Sequence, residues 1–185
     1  MTETELIGRL SDRWRDHFAD ELALRVRDAG AVGTLYRLAT LRHEEVPALR
    51  RHKLLFRAAY VLERICLQDR AAFLPYAADF CRSAFPACTD PSARRHFGKI
   101  MIDLLDHACP DAECLERIAE TAAEWAADPA SKVAVRVWAM EVLKRCRGRV
   151  GWVEELWADL LETQSCRATP GLASRLRRSW RDART

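Results

Sequence analysis

The sequence predicts an all-α fold: about ten helices, arranged as successive antiparallel pairs in a right-handed α-α superhelix, within a single domain spanning residues 1–185. Three observations predict it. The composition favours helix formers, with 29 Ala, 22 Leu, 26 Arg and 14 Glu against 10 Val and 5 Ile. Apolar residues recur three and four apart almost throughout, and no stretch alternates with period two for long enough to make a strand. An arginine-led helix returns at Arg57, Arg95, Arg136 and Arg175, at separations of 38, 41 and 39 residues. The same composition argues against other classes. The longest uncharged apolar run is the eight residues Ala71 to Ala78, whereas a membrane span needs roughly 18 to 20. With 49% apolar and 31% charged residues, the chain can bury a core and keep a solvated surface, which a disordered or fibrous chain cannot do.

The elements follow in order. The first helix is expected over Glu3 to Asp16. Phe18, Leu22, Val26 and Ala29 mark one face of the second, ended by the stretch Ala29 to Gly33, because glycine adopts the left-handed conformation that closes a helix. Leu35, Leu38 and Leu41 make a short third helix. Leu54, Ala58, Val61, Leu62 and Ile65 stripe a helix from about Ala48 to Cys66, with Pro47 suited to its start. Asp69 caps the next, which carries Phe73, Ala77, Phe80 and Phe85, bends near Pro75 and closes at Pro86. Asp90-Pro91 opens a helix with Phe97, Ile100, Met101, Leu104 and Leu105. Pro110-Asp111 opens one with Leu115, Ile118, Ala122 and Trp125. Asp128-Pro129 and Ser131 precede Val135, Trp138, Val142 and Leu143, ended near Gly148. Trp152, Val153, Leu156, Leu160 and Leu161 mark another helix, and Thr169-Pro170 opens the last, with Leu172, Leu176 and Trp180. No linker or low-complexity tract divides the chain.

A helix pair leaves one face uncovered, so repeated pairs stack to bury a shared core. The segments Phe56-Arg57-Ala58-Ala59-Tyr60-Val61-Leu62-Glu63, Arg94-Arg95-His96-Phe97-Gly98-Lys99-Ile100 and Lys132-Val133-Ala134-Val135-Arg136-Val137-Trp138-Ala139-Met140 carry the repeat. With a period near 40 and an arginine on the first helix of each pair, they resemble HEAT and armadillo repeats. More narrowly, they are similar to a group of short bacterial armadillo-like proteins. The resemblance covers about residues 17 to 183 and implies a helix-pair solenoid. It implies little about function, because the matched positions are those that build the stack.

Charge is distributed unevenly although the net is only +3. The first helices of the pairs carry +4 over 48–66, +1 over 91–107, +4 over 131–147 and +4 over 170–184, while the second helices carry −5 over 111–128 and −4 over 150–166. Stacking would align Arg50, Arg51, Lys53, Arg57, Arg94, Arg95, Lys99, Lys132, Arg136, Arg175, Arg177 and Arg178 into a basic ridge, with Arg57, Arg94, Arg95, Lys99, Lys132, Arg136, Arg175 and Arg178 as its expected binding residues. Such a ridge would suit an acidic protein or phosphates. The competing expectation is a set of solvated faces on which arginines pair with acids of the neighbouring repeat.

Chemistry leaves fewer marks. Seven cysteines, Cys66, Cys81, Cys88, Cys109, Cys114, Cys146 and Cys166, are an odd number scattered through helical pattern behind an N-terminus without an apolar leader, which predicts reduced, core-packing thiols and a cytoplasmic setting. His107, Cys109 and Cys114 lack the tight paired spacing of structural zinc. No Gly-rich phosphate loop, Gly-x-Ser-x-Gly elbow or His-Glu-x-x-His occurs, so neither catalytic residues nor a cofactor is expected. Some HEAT-like proteins are DNA glycosylases, and Trp138 with Asp103 or Asp106 would be the nearest imitation of such a site. Among Trp14, Trp125, Trp138, Trp152, Trp157 and Trp180, most are expected in the core, with Trp157 and Trp180 partly exposed near the end of the stack. A buried Trp138 would lose about 3 to 5 kcal/mol on truncation to alanine. The leading expectation is a noncatalytic module binding another protein; the alternative is a nucleic-acid binder or a DNA glycosylase using the ridge.

Overall fold

The computed structural model describes residues 1–13, 15–166 and 168–180; Trp14 and the side chains of residue 43 and of residues 48–52, Arg50 and Arg51 among them, lie outside the described residues. Among those residues the chain is helical, without a strand. It divides into two compact units, Met1–Ala108 and Cys109–Thr185.

In the first unit, α1 (Glu3–Ser11) begins with a capping box: Glu5 N–H donates to the Thr2 hydroxyl, and the Glu5 carboxylate accepts from Thr2 N–H. It stops five residues before the expected Asp16, because the backbone turns extended at Asp12. α2 (Phe18–Asp28) ends in a Schellman motif. Gly30 takes φ +61°, its N–H reaches Arg27 O at 2.9 Å, and Ala31 N–H reaches Val26 O at 2.9 Å. Gly33 is no terminator; it stands inside α3 (Val32–Thr40), where a Cβ would come within 2.8 Å of Tyr76 Oη. α4 (Ala48–Gln68) starts directly after Pro47. Asp69 then caps α5 (Arg70–Asp79) by accepting from Ala72 N–H at 3.3 Å. Pro75 lies inside α5, which runs on into a π-turn over Phe80–Ala84. Asp90 Oδ1 accepts from Ser92 and Ala93 N–H as expected, and regular α6 (Arg94–His107) follows one turn later.

α4 is the axis of this unit and packs on α1, α2, α3, α5 and α6. Its stripe of Leu55, Ala58, Val61, Leu62 and Ile65 is almost fully buried. An aromatic chain crosses the core: Tyr36 stacks on Tyr76 at 4.8 Å, Phe73 meets Phe80 edge-on at 5.6 Å, and Phe80 meets Phe97 at 5.0 Å.

In the second unit, Asp111 caps α7 (Ala112–Ala127), its carboxylate accepting from Cys114 N–H at 2.8 Å. α8 (Val133–Cys146) packs along α7 and ends before Gly148, at φ +68°. The expected single helix over Trp152 to Leu161 is two: α9 (Gly151–Glu155) and α10 (Trp157–Ser165), broken at Leu156. Trp152 Nε1 bonds the Glu116 carboxylate, and Gln164 Nε2 donates to Ala126 O at 3.0 Å, so α9 and α10 lie on α7. Thr169 caps α11 (Pro170–Arg175) with proline in its first turn, and the segment continues as a π-turn over Leu176–Trp180. Trp157 and Trp180 are buried, at 4% and 0% exposure, which corrects the expectation that they stand partly open. The last helical segment folds Trp180 back under Trp157, whose Nε1 donates to Trp180 O at 3.2 Å.

Candidate functional site

The expected ridge residues fall into both units: Arg57, Arg94, Arg95 and Lys99 in the first, Lys132, Arg136, Arg175 and Arg178 in the second. Arg57 is buried and gives Nη1 to the carbonyls of Leu10 and Asp12 at the end of α1, with its guanidinium 5.4 Å from the Phe18 ring centroid. Arg94 Nε donates to Cys88 O at 3.1 Å. Arg95 is half-buried, and its Nε is enclosed without an acceptor. Lys99 pairs with Glu63 at 2.9 Å and Arg175 with Glu141 at 2.7 Å, while Arg136 is buried. Lys132 and Arg178 are exposed, as are Lys53 and Arg177. Much of the basic register therefore serves helix-to-helix contacts.

Two buried carboxylates organise those contacts. Each of the basic segments 48–66 and 131–147 contains a single acid, Glu63 in one and Glu141 in the other. An acid alone among cations and set in an apolar stripe is the mark both carry in the sequence, and a charge sum along one helix does not single it out.

Glu63 of α4 faces His96 and Lys99 of α6. Its Oε2 takes the His96 Nδ1 hydrogen bond and its Oε1 the Lys99 ammonium, at 2% and 0% side-chain exposure for Glu63 and His96. Burial pushes the Glu63 carboxyl up, but the His96 and Lys99 donors outweigh it and hold the group below its ordinary range. Burial holds His96 below its ordinary value against the pull of Glu63, so the imidazole is neutral and donates through Nδ1. Tyr60 stacks on the ring at 4.8 Å, Phe56 lies 5.2 Å away, and Nε2 is enclosed without a partner. One to two turns along the same seam, Arg70 holds Asp103 with two bonds, of 2.8 and 2.7 Å. That guanidinium keeps the Asp103 carboxyl below its ordinary range. Cys66 Sγ lies 3.8 Å from the same carboxylate; burial, then the Asp103 charge, pushes the thiol up to about 12. This seam fastens α6 to α4 and to the start of α5.

Glu141 of α8 does the corresponding work in the second unit. Oε1 accepts from Arg175 Nη1 at 2.7 Å and from Trp180 Nε1 at 3.0 Å, while Oε2 takes Arg145 Nη1 at 3.1 Å. The Arg175 guanidinium also lies 5.4 Å over the Trp138 ring, which is half-buried rather than enclosed.

Cys66, Cys81, Cys114 and Cys146 are buried, Cys88 is half-buried, and Cys109 and Cys166 are exposed, so two of the thiols expected in the core lie at the surface. Among the described residues no group of three or more His, Cys, Asp or Glu stands ready to hold a metal ion. Asp103, one of the two acids weighed for a glycosylase, is engaged by Arg70. Two open clefts meet at Arg15 and Phe18: one of about 90 Å³ that also touches Arg9, Asp12, Glu21 and Arg25, and one of about 360 Å³ that reaches Tyr60. No helix among the described residues is long and apolar enough to cross a membrane. Comparison with protein-family models, with curated proteins and with solved structures finds no match to this chain.

Proposed function

We propose that the chain is a noncatalytic protein-interaction module, a right-handed stack of helix pairs of the HEAT or armadillo kind, which offers its exposed helix faces to another protein. One observation carries the reading. In both units a lone acid of one first helix is bound by basic and aromatic donors of the next first helix, and the spacing is similar: Glu63 to His96 and Lys99 across 33 and 36 residues, Glu141 to Arg175 and Trp180 across 34 and 39. Those separations lie at or just under the 38 to 41 residue spacing of the arginine-led helices, and Glu141 follows Glu63 by 78 residues, two such spacings, which supports a stack of repeats. Glu63, His96 and Glu141 are engaged in those contacts, which leaves the solvated faces to meet a partner.

The experiment is crosslinking of the intact chain in extract of its source cells, with mass spectrometry of the linked peptides, beside titration of a short DNA duplex at low salt. The reading expects a discrete protein partner linked through exposed Lys53, Lys132 or Lys144. Capture should fall at least tenfold on Lys132→Glu with Arg178→Glu, or on Glu120→Lys with Glu124→Lys, at an unchanged melting temperature. Duplex binding with a steep salt dependence, abolished by the first pair of changes, would favour the nucleic-acid alternative instead. Turnover of a damaged base, lost on Asp106→Asn, would establish the glycosylase and overturn the module.

A further inference from the structure

We infer that the face of α8 bearing Trp138, Glu141, Lys144 and Arg145, with Trp157 beside it, is a receptor for a basic helix carrying tryptophan: residues 170–180 occupy it in cis, and a partner helix of the same chemistry takes their place. The inference rests on the interaction-module reading and names its partner class.

The occupant is held by its polar groups rather than by an apolar stripe alone. Arg175 and Trp180 both donate to Glu141 Oε1, at 2.7 and 3.0 Å. Lys144 Nζ bonds Ser179 O, and Trp157 Nε1 bonds Trp180 O at 3.2 Å. Arg175 and Trp180 are five residues apart, which in a regular α-helix points them roughly 140° away from each other. The π-turn over Leu176–Trp180 closes that angle, because a wider turn brings residues five apart back to one side. The backbone is thus bent out of its ordinary form so that one carboxylate can receive both side chains.

Glu141 explains why the receptor selects a basic partner. With residues 170–180 in place Glu141 is 7% exposed, so an occupant takes the carboxylate out of water, and Arg145 from its own helix supplies only part of the donors that replace it. An occupant must bring a cation and an N–H. A regular helix with arginine and tryptophan four apart brings both on one face without the widened turn. The cis occupant is also short, a six-residue helix followed by a five-residue π-turn, and so small a helix has little stability of its own. Its outer residues Arg177 and Arg178 are exposed.

The test uses the full chain and a fluorescein-labelled synthetic peptide with the sequence of residues 169–180. Wild type should bind the peptide weakly, its receptor being filled. Arg175→Ala with Trp180→Ala should bind it at least tenfold more tightly, and adding Glu141→Gln should remove at least that gain. A doubly changed chain that keeps its cooperative melt yet binds no peptide, or binds it regardless of Glu141→Gln, overturns the inference. Should the doubly changed chain lose its melt, hydrogen exchange of the wild type decides. Amides of 170–180 exchanging at least tenfold faster than those of α8 support a displaceable occupant, and exchange only with global unfolding refutes it. Failure here leaves other faces free to bind a protein, whereas peptide binding with no cellular partner recovered would count against the module reading alone.

Discussion

The His96 imidazole donates its Nδ1 proton to the Glu63 carboxylate across the α4–α6 seam, and both side chains are sealed from solvent. The pair makes stability depend on pH with a defined sign. Burial keeps native His96 below its ordinary value of 6.5, so as pH falls through that value the unfolded chain takes up a proton that the native chain resists. Stability is therefore full above about 6.5 and declines below it until native His96 itself protonates. Glu63 and Asp103, held below their ordinary 4.5 and 3.8, add a second loss as pH falls through those values. Melting temperature against pH should show both limbs, and His96→Asn should start lower and lack the first. Retention of the first limb in that variant would assign it to another group.

Thiol reactivity should divide the cysteines by environment. Burial pushes Cys66 and Cys146 up to about 12, while Cys109 and Cys166 stand in solvent. Ellman's reagent at pH 8 should modify Cys109 and Cys166 within minutes, leave Cys66 and Cys146 intact in the native chain, and reach all seven cysteines in denaturant. Rapid native labelling of Cys66, located by peptide mapping, would contradict the α4–α6 packing.

Trp138→Ala should cost about 2 kcal/mol in urea unfolding, less than the ~3 to 5 typical of an enclosed tryptophan. The ring is half-buried and lies under Arg175 instead of deep between helices. A loss above ~4 kcal/mol would show that solution packing encloses the ring.

Gly30→Ala should destabilise the chain by about 1 to 2 kcal/mol, because a Cβ is strained at φ +61°. Beyond the adjoining residues of the chain, no atom stands within 4 Å of where that Cβ would sit, so the loss reports backbone strain alone. Gly8→Ala, inside α1 and equally open, should be neutral or slightly stabilising, and the difference between their melting temperatures checks both.

What the sequence disclosed was mostly local. Asp69, Asp111 and Thr169 cap helices where predicted, since a short polar side chain before an apolar stripe needs only its own next turn to act. Boundaries failed where a distant partner decides them. α1 ends early in a polar segment whose carbonyls Arg57 captures, and Gly33 stands inside α3 with Tyr76 Oη in the space a Cβ would take. The division near Ala108 has no mark in composition. The ridge was the least legible part, because charge counted along one helix is blind to acids supplied by another. Lys99 and Arg175 read as surface cations until Glu63 and Glu141 are placed opposite them.

Arg57 gives the amino-terminal helix a standing that its position would not suggest. Trimming the chain past Asp12 would take two carbonyl acceptors away from a guanidinium that α4 holds out of water. The first dozen residues are accordingly a keystone of the amino-terminal unit, and a shortened protein would be expected to fail in folding before any question of binding arose.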